Sequence, residues 1–347
     1  MAVTLALAGD TMLGRGVAER LAGRSRVADF FAGEVRDMLA EADLFLLNLE
    51  CCVSARGAPW RAPGKPFHFR APPQAADLLA ELGVDCVTLA NNHALDYGPD
   101  ALLDTLSHLA RAGIGCVGAG EDLARARRPV RVDARGTRLD VVAFSDHPSD
   151  FAATPERPGI AHADLSEGVP PWVVETVAAR REHGEAVLVT PHWGPNMVTE
   201  PLAYVRRAAD TLAGTGATLV AGHSAHTFHG VAGRVLFDLG DFIDDYAVHP
   251  LVRNDLGLLW LVTLTPAGPV ELRALPLKLD YARTGPAVGD DWLRVRDRFT
   301  AACAALGTSV RVRGRELVAA WDTAAPRPSG VRRETPAGPR GEGGFSR

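Results

Sequence analysis

Apolar residues along this chain fall into short runs that stop at a polar or ionisable residue. Residues 3–8 form the first run, closed by Gly9 and Asp10, and residues 44–49 form a second that ends at Glu50. Runs apolar on both faces read as buried strands. Further strands are expected at 85–90 before Asn91, Asn92 and His93, at 114–117, and at 138–144 before Ser145, Asp146 and His147. Two more are expected at 186–190, before Pro191-His192-Trp193-Gly194, and at 217–221, before Gly222 and His223. Between them the spacing predicts helices over 27–42, 75–82, 99–112, 172–183 and 202–213. Pro99 suits a first helical turn, and Gly113 a helix end.

From residue 234 the texture changes. Runs at 235–239, 257–265 and 270–277 follow one another without helices, which predicts an antiparallel region, and a last helix is expected over 290–305. Residues 54–73 are rich in Pro, Gly and Arg and read as an excursion loop. Strand–helix alternation followed by strands alone predicts a layered α/β fold with mixed sheets, one domain over residues 1–322. Residues 323–347 carry few apolar side chains among Pro, Gly and Arg, and are expected to be a disordered tail.

Composition narrows the function. With 47 % hydrophobic and 23 % charged residues there is material for a large core. A formal charge of -5 offers no basic surface for nucleic acid, so none is expected as a partner. The five cysteines include no C-x-x-C pair and are expected to be reduced. The first apolar run is too short for a signal peptide or a membrane anchor, so the expected location is the cytoplasm.

Candidate chemistry lies at the strand ends. Asp10, Glu50, Asn92 with His93, His192 and His223 each follow a predicted strand. In open α/β sheets the ligand crevice lies beyond the carboxyl ends of the strands. Any one of them alone fits a structural role, such as a turn cap or a buried histidine; together they point to one site. Gly222-His-Ser-Ala-His-Thr-Phe-His-Gly230 adds His226 and His229 at spacings of three. Imidazole, carboxylate and amide donors without thiolate suit Mn²⁺, Fe²⁺ or Zn²⁺, with Mn²⁺ the first expectation. So many donors exceed a single tetrahedral ion and suit two ions roughly 3.5–4 Å apart. Arg15 and Arg70 are candidates for holding an anionic group of a small substrate, with an ion pair to a loop carboxylate as the alternative. His147, beside Asp146, and His229 are candidates for the mouth of the site. Trp193 reads as packing.

These segments resemble the CapA-like (poly-γ-glutamate capsule-synthesis) family of the calcineurin-like metallophosphoesterases. The matching pieces are Gly9-Asp-Thr-Met-Leu-Gly-Arg15, Asn48-Leu-Glu50, Ala90-Asn-Asn-His93 with Asp96-Tyr97-Gly98, His192-Trp-Gly194, Gly222-His-Ser-Ala-His226 and Leu239-Gly-Asp-Phe242. The resemblance implies a four-layer α/β/β/α sandwich with two metals at the sheet edge. Asp10 would hold one ion and Glu50 would bridge both; Asn92 and His192 would hold the second, with His223 and His226 divided between them. His93 would act as general acid. Met12 stands where the wider superfamily has a histidine, Asn196 where such proteins often have Glu, and Asp241 where many have Asn.

The function expected is a dinuclear hydrolase acting on a phosphate ester, with metal-activated water as nucleophile. Two alternatives stay open: an accessory protein of poly-γ-glutamate or envelope polymer assembly, and a tailoring enzyme acting on an amide, acyl or lactone bond.

Overall fold

The computed structural model describes residues 2–23, 26–265 and 267–320; the expected tail at 323–347 lies outside them. Two mixed sheets dominate a mixed α/β fold. Among the described residues the larger has ten strands, and its main path runs Val310–Arg313, Glu316–Ala320, Gly268–Asp280, Leu256–Thr265, Val3–Thr11, Leu44–Leu49, Cys86–Thr88, Gly115–Val117. Val3–Thr11 is where the sheet changes sense. It pairs parallel with Leu44–Leu49 and antiparallel with Leu256–Thr265. The antiparallel pairing ends at Leu7 opposite Trp260, and from Asp10 onward the short strand Asp241–Ile243 takes over that edge in parallel.

That handover depends on Gly9. A β-carbon there would lie 1.8 Å from the Gly240 carbonyl oxygen, so only glycine lets the two backbones meet. The Asp10 amide donates to that same oxygen at 2.9 Å, and Asp10 and Asp241 are thereby set in register.

The smaller sheet has six strands in the order Val231–Ala232, Val235–Leu236, Leu219–Ala221, Ala186–His192, Thr137–Ser145, Val130–Ala134. Strand alternation divides the side chains among separate apolar clusters. Leu5, Leu7 and Leu46 share one cluster with Val141 and Leu188 of the smaller sheet. Ala6, Ala8 and Leu47 turn the other way, onto Val17, Val35 and Leu102 of the helices Arg15–Leu21, Gly33–Leu39 and Gly98–Arg111. Val142, Val187 and Val189 pack on Val173, Val177 and Leu212 of the helices Pro171–Glu182 and Ala203–Thr215.

Most expected elements are present within one to three residues. The helix expected over 27–42 is broken into Val27–Phe30 and Gly33–Leu39, because Phe31 turns extended and bridges Thr284, its ring stacked 5.0 Å from Phe242. The strand expected at 235–239 does not join the antiparallel region: Val235–Leu236 pairs parallel with Leu219–Ala221 in the smaller sheet. All five cysteines are free thiols. Among the described residues no helix is long and apolar enough to cross a membrane.

Candidate metal centre

The expected donors meet where the two sheets end. Asp10 lies in the last part of Val3–Thr11, and Glu50 directly follows Leu44–Leu49; both are fully buried. Asn48 ties them together, its side-chain amide donating to Asp10 Oδ1 at 2.7 Å and to Glu50 Oε2. Asn91 in turn donates to Asn48 Oδ1 and to the Leu49 carbonyl, and accepts from the His93 amide. This amide ladder holds three strand ends at fixed spacing.

The smaller sheet supplies the imidazoles. Ala186–His192 and the chain after Leu219–Ala221 continue side by side as far as a bridge between His192 and His223. Their Nδ1 atoms stand 2.8 Å apart, and His223 Nδ1 is 3.7 Å from Asp10 Oδ1. Just beyond, the chain takes an unusual path, with φ at Ser224 and His226 of 121° and 56°. Residues other than glycine seldom adopt such angles unless the surroundings enforce them. Here Asp238 enforces them by accepting from the amides of Ala225 and Gly240, each at 2.9 Å. The result carries His226 Nδ1 to 3.2 Å from Asp10 Oδ2 and 2.8 Å from Asp241 Oδ1.

The donor atoms form two groups that share Asp10: Asp10, His192 and His223, and Asp10, His226 and Asp241. Within each, the donor atoms lie within 4.8 Å of one another. Glu50 stands between the sheets, with Oε2 3.9 Å from His192 Nδ1 and Oε1 3.9 Å from His93 Nε2. Several oxygens are buried without a hydrogen-bond donor, among them Glu50 Oε1, Asn92 Oδ1 and Asp241 Oδ2. Buried oxygens are seldom left so, and these fit a pair of divalent cations as the missing partners.

Protonation follows from burial and charge. Burial and then the neighbouring Asp10 charge push the Glu50 carboxyl well above its ordinary range. Burial works the same way on Asp10, but His226, His223 and Asn48 outweigh it and hold Asp10 below its usual value. Burial would lower His226, yet Asp241 and Asp10 on either side lift it well above. His192 is driven well below, by burial first and His223 second, and burial takes His223 down to about 4 despite Asp10. His192 and His223 thus favour the neutral form in which imidazole binds a metal, whereas His226 and Glu50 favour protonated forms and would release a proton on binding one.

His93 sits on the opposite flank. Its Nδ1 is 2.5 Å from Asp96 Oδ2, and its ring stacks on Phe69 with centroids 4.1 Å apart. Burial lowers its pKa while Asp96 pulls the other way. Lys65 completes the group, its Nζ 2.7 Å from Asp96 Oδ1 and donating to the Asn92 carbonyl at 2.8 Å.

The remaining candidates lie further out. His147, bonded to Asp146, packs its ring 5.2 Å from that of His192, at the edge of an open cleft of about 850 Å³ lined also by Asn92, Asn196 and Tyr204. Asp146 is anchored by the Gly194 amide and the Tyr204 hydroxyl. Arg15 is ion-paired with Asp245, and Arg70 lies over the Tyr97 ring at 4.1 Å while donating to the Arg56 carbonyl. Arg15 thus makes the ion pair of the alternative reading, and its guanidinium also lies over the rings of Phe69 and Tyr246, which pack on His93 and His226. His229 is also outside both donor groups: its Nε2–H donates to the Val198 carbonyl at 2.9 Å. Trp193 is buried and donates to the Phe237 carbonyl, a packing role. Asn48, Asp96, Lys65, Asp238 and Asp241 were not among the candidates for the centre. Asn48, Asp96 and Asp241 lie in the matching segments Asn48-Leu-Glu50, Asp96-Tyr97-Gly98 and Leu239-Gly-Asp-Phe242, the last of which also ends an apolar run in an acid, as the runs before Asp10 and Glu50 do.

A mixed α/β fold with an acid–imidazole cluster across two sheet ends defines the class: a protein built around a metal-capable centre. The chain belongs to the bacterial capsule synthesis protein family PGA_cap, whose model matches residues 4–246, within the calcineurin-like superfamily. It is 33 % identical to a probable polyglutamine synthesis accessory protein of Mycobacterium tuberculosis, over 84 % of this chain and 89 % of that one. It is 28 % identical to the PGA biosynthesis protein CapA of Bacillus subtilis, over 68 % of this chain and 62 % of that one. With the capsule biosynthesis protein CapA of Bacillus anthracis the figures are 26 %, 70 % and 60 %.

Proposed function

We propose that this chain is an accessory protein of poly-γ-glutamate or envelope polymer assembly that works as a dinuclear metal-dependent hydrolase on an α/β/β/α sandwich, with a phosphate ester as the first expected substrate. The observation that carries the reading is the pair of donor groups joined at Asp10, with His93, held by Asp96, facing Glu50.

Two bound divalent ions would supply an activated water and charge neutralisation at the attacked group. Asp10, Glu50, Asn92, His192, His223, His226 and Asp241 would hold them. His93, oriented by Asp96, presents Nε2 towards the centre and donates a proton to the leaving oxygen. Phe69 shields that imidazole on one face; burial lowers its pKa, and Asp96 opposes that by favouring the protonated form. The cleft beyond Asn92 receives the rest of the substrate. Because Asp146 and Asp164 lie along it and neither Arg nor Lys does, anion binding falls to the ions themselves. The same lining favours, as a second reading, a neutral amide such as a γ-glutamyl-type bond over a strongly anionic chain.

The test is hydrolysis of p-nitrophenyl phosphate and bis-p-nitrophenyl phosphate by protein reloaded with Mn²⁺, compared with His93→Ala and with a γ-glutamyl amide panel. Mn²⁺-dependent phosphoester turnover that falls by about 10²–10⁴ in the variant supports the reading. Turnover of amides alone supports the second. No turnover of either with metal bound leaves a non-catalytic accessory role and refutes the hydrolase.

A further inference from the structure

A row of rings joins His93 to His226. Phe69 stacks on His93 with centroids 4.1 Å apart, Tyr246 lies 5.6 Å from Phe69, and the same Tyr246 meets His226 edge-on at 5.3 Å. Tyr246 is held at its backbone and at its ring. Its amide donates to Asp244 Oδ1 at 2.8 Å, and the Arg15 guanidinium, ion-paired with the adjoining Asp245, lies 5.3 Å from the ring centre.

Packing accounts for the ring but not for its hydroxyl. A buried phenol oxygen ordinarily finds a hydrogen-bond partner. The Tyr246 hydroxyl is buried and, among the described residues, has none. It does not bond to Glu50 Oε1 or Asp241 Oδ2, which lack donors themselves. After burial, the charges that act on this phenol are those of Asp241, Glu50, Asp244 and Asp10, in that order, and all raise its pKa. Three of these acids are donors of the centre, so the hydroxyl stands among them. A phenol is in any case protonated at neutral pH, which makes this oxygen a hydrogen-bond donor without an acceptor in the chain.

Resting on the dinuclear hydrolase reading above, we propose that Tyr246 is a further catalytic residue, whose hydroxyl donates to an oxygen of the phosphoryl group under attack. His93 then serves the leaving oxygen and Tyr246 one of the oxygens that stay on phosphorus, from two places in one row of rings. A fixed donor aimed at an oxygen where charge gathers holds it more strongly as the reaction proceeds. Since neither Arg nor Lys lines the cleft, this neutral donor takes part of the role a guanidinium would otherwise fill.

The experiment compares the full chain with Tyr246→Phe, which keeps the ring in its row and removes only the hydroxyl oxygen. Both are reloaded with Mn²⁺, and bound metal is counted by elemental analysis. Inorganic phosphate is titrated into each by calorimetry, and p-nitrophenyl phosphate turnover is measured. The variant is expected to keep its Mn²⁺ and to bind phosphate about tenfold more weakly, the scale of one hydrogen bond to a charged group. Its kcat should fall by about 10²–10³, the usual effect of removing one such donor, with KM changed less. Phosphate affinity and kcat equal to those of the parent overturn the proposal. So does a fall in activity that only follows lost Mn²⁺, because the hydroxyl would then support the ligands rather than meet the substrate. A parent chain that takes up Mn²⁺ without phosphoester turnover refutes the hydrolase reading itself, an outcome distinct from a variant that matches an active parent.

Discussion

Replacing Gly9 with alanine probes the geometry from which the centre is built. The new methyl would meet the Gly240 carbonyl oxygen at 1.8 Å and its carbon at 2.9 Å. Both contacts are with backbone, so no side chain can rotate away. Reaching even a 3.0 Å separation requires the strands to part by about 1.2 Å. That would stretch the 2.9 Å bond from the Asp10 amide to the same oxygen beyond hydrogen-bonding range. Leaving that buried pair unmade costs about 1–3 kcal/mol, and overpacking costs a further 1–3 kcal/mol or so. A loss of about 3 kcal/mol is therefore expected. Urea unfolding in chelator should show a lower midpoint with an unchanged slope, since the same surface is exposed. The substitution also separates Asp10 from Asp241, so Mn²⁺ affinity should fall in the surviving folded protein. A variant with stability within about 0.5 kcal/mol of the parent, the range of a neutral surface change, and unaltered Mn²⁺ binding would refute the argument that this close approach sets the two carboxylates.

Two further outcomes concern titrating groups. Burial drives His229 down to about 4 from an ordinary 6.5, so the unfolded chain takes up its proton first as the pH falls. Its contribution to stability is complete above pH 6.5 and is lost towards pH 4; by pH 5 the loss is about 2 kcal/mol. His229→Gln should therefore lose about that much less between pH 7 and pH 5 in urea unfolding of the metal-free protein, and an identical pH slope in the two proteins refutes the assignment. Asp96→Asn removes the charge that holds the His93 pKa up against burial. If His93 is the general acid, the alkaline limb of kcat/KM must move to lower pH in this variant; a limb that stays in place removes His93 from that role.

The parallel strands were legible because burial on both faces leaves little choice of residue: Val187, Leu188 and Val189 are all buried, with no polar alternation to mislead. Their carboxyl ends could be read for the same reason, since Asp10, Glu50 and His192 interrupt otherwise apolar runs. What depended on distant partners could not be read. Phe31 breaks a helical period because its place is set by Thr284 and Phe242. Arg15 carries the same charge whether it awaits a substrate or pairs with Asp245, and that acid lies 230 residues away. Asp241 needed the register of the ladder, and Asn48 looks like an ordinary strand residue until its amide is seen between two acids. Lys65 comes from the aperiodic stretch at 54–73, where spacing carries no information.

The region matched by the family model stops at residue 246, yet the strand that bears Asp10 leans on chain beyond that point. Along residues 3–7 its outer neighbour is Leu256–Thr265, itself braced by Gly268–Asp280 and then by Glu316–Ala320. Without those later segments the central strand would become a raw margin, with its amides and carbonyls facing water or another chain. The terminal third is thus the buttress of the donor cluster, although none of its described residues belongs to either donor group. Changes there would be felt as unsteadiness of Asp10.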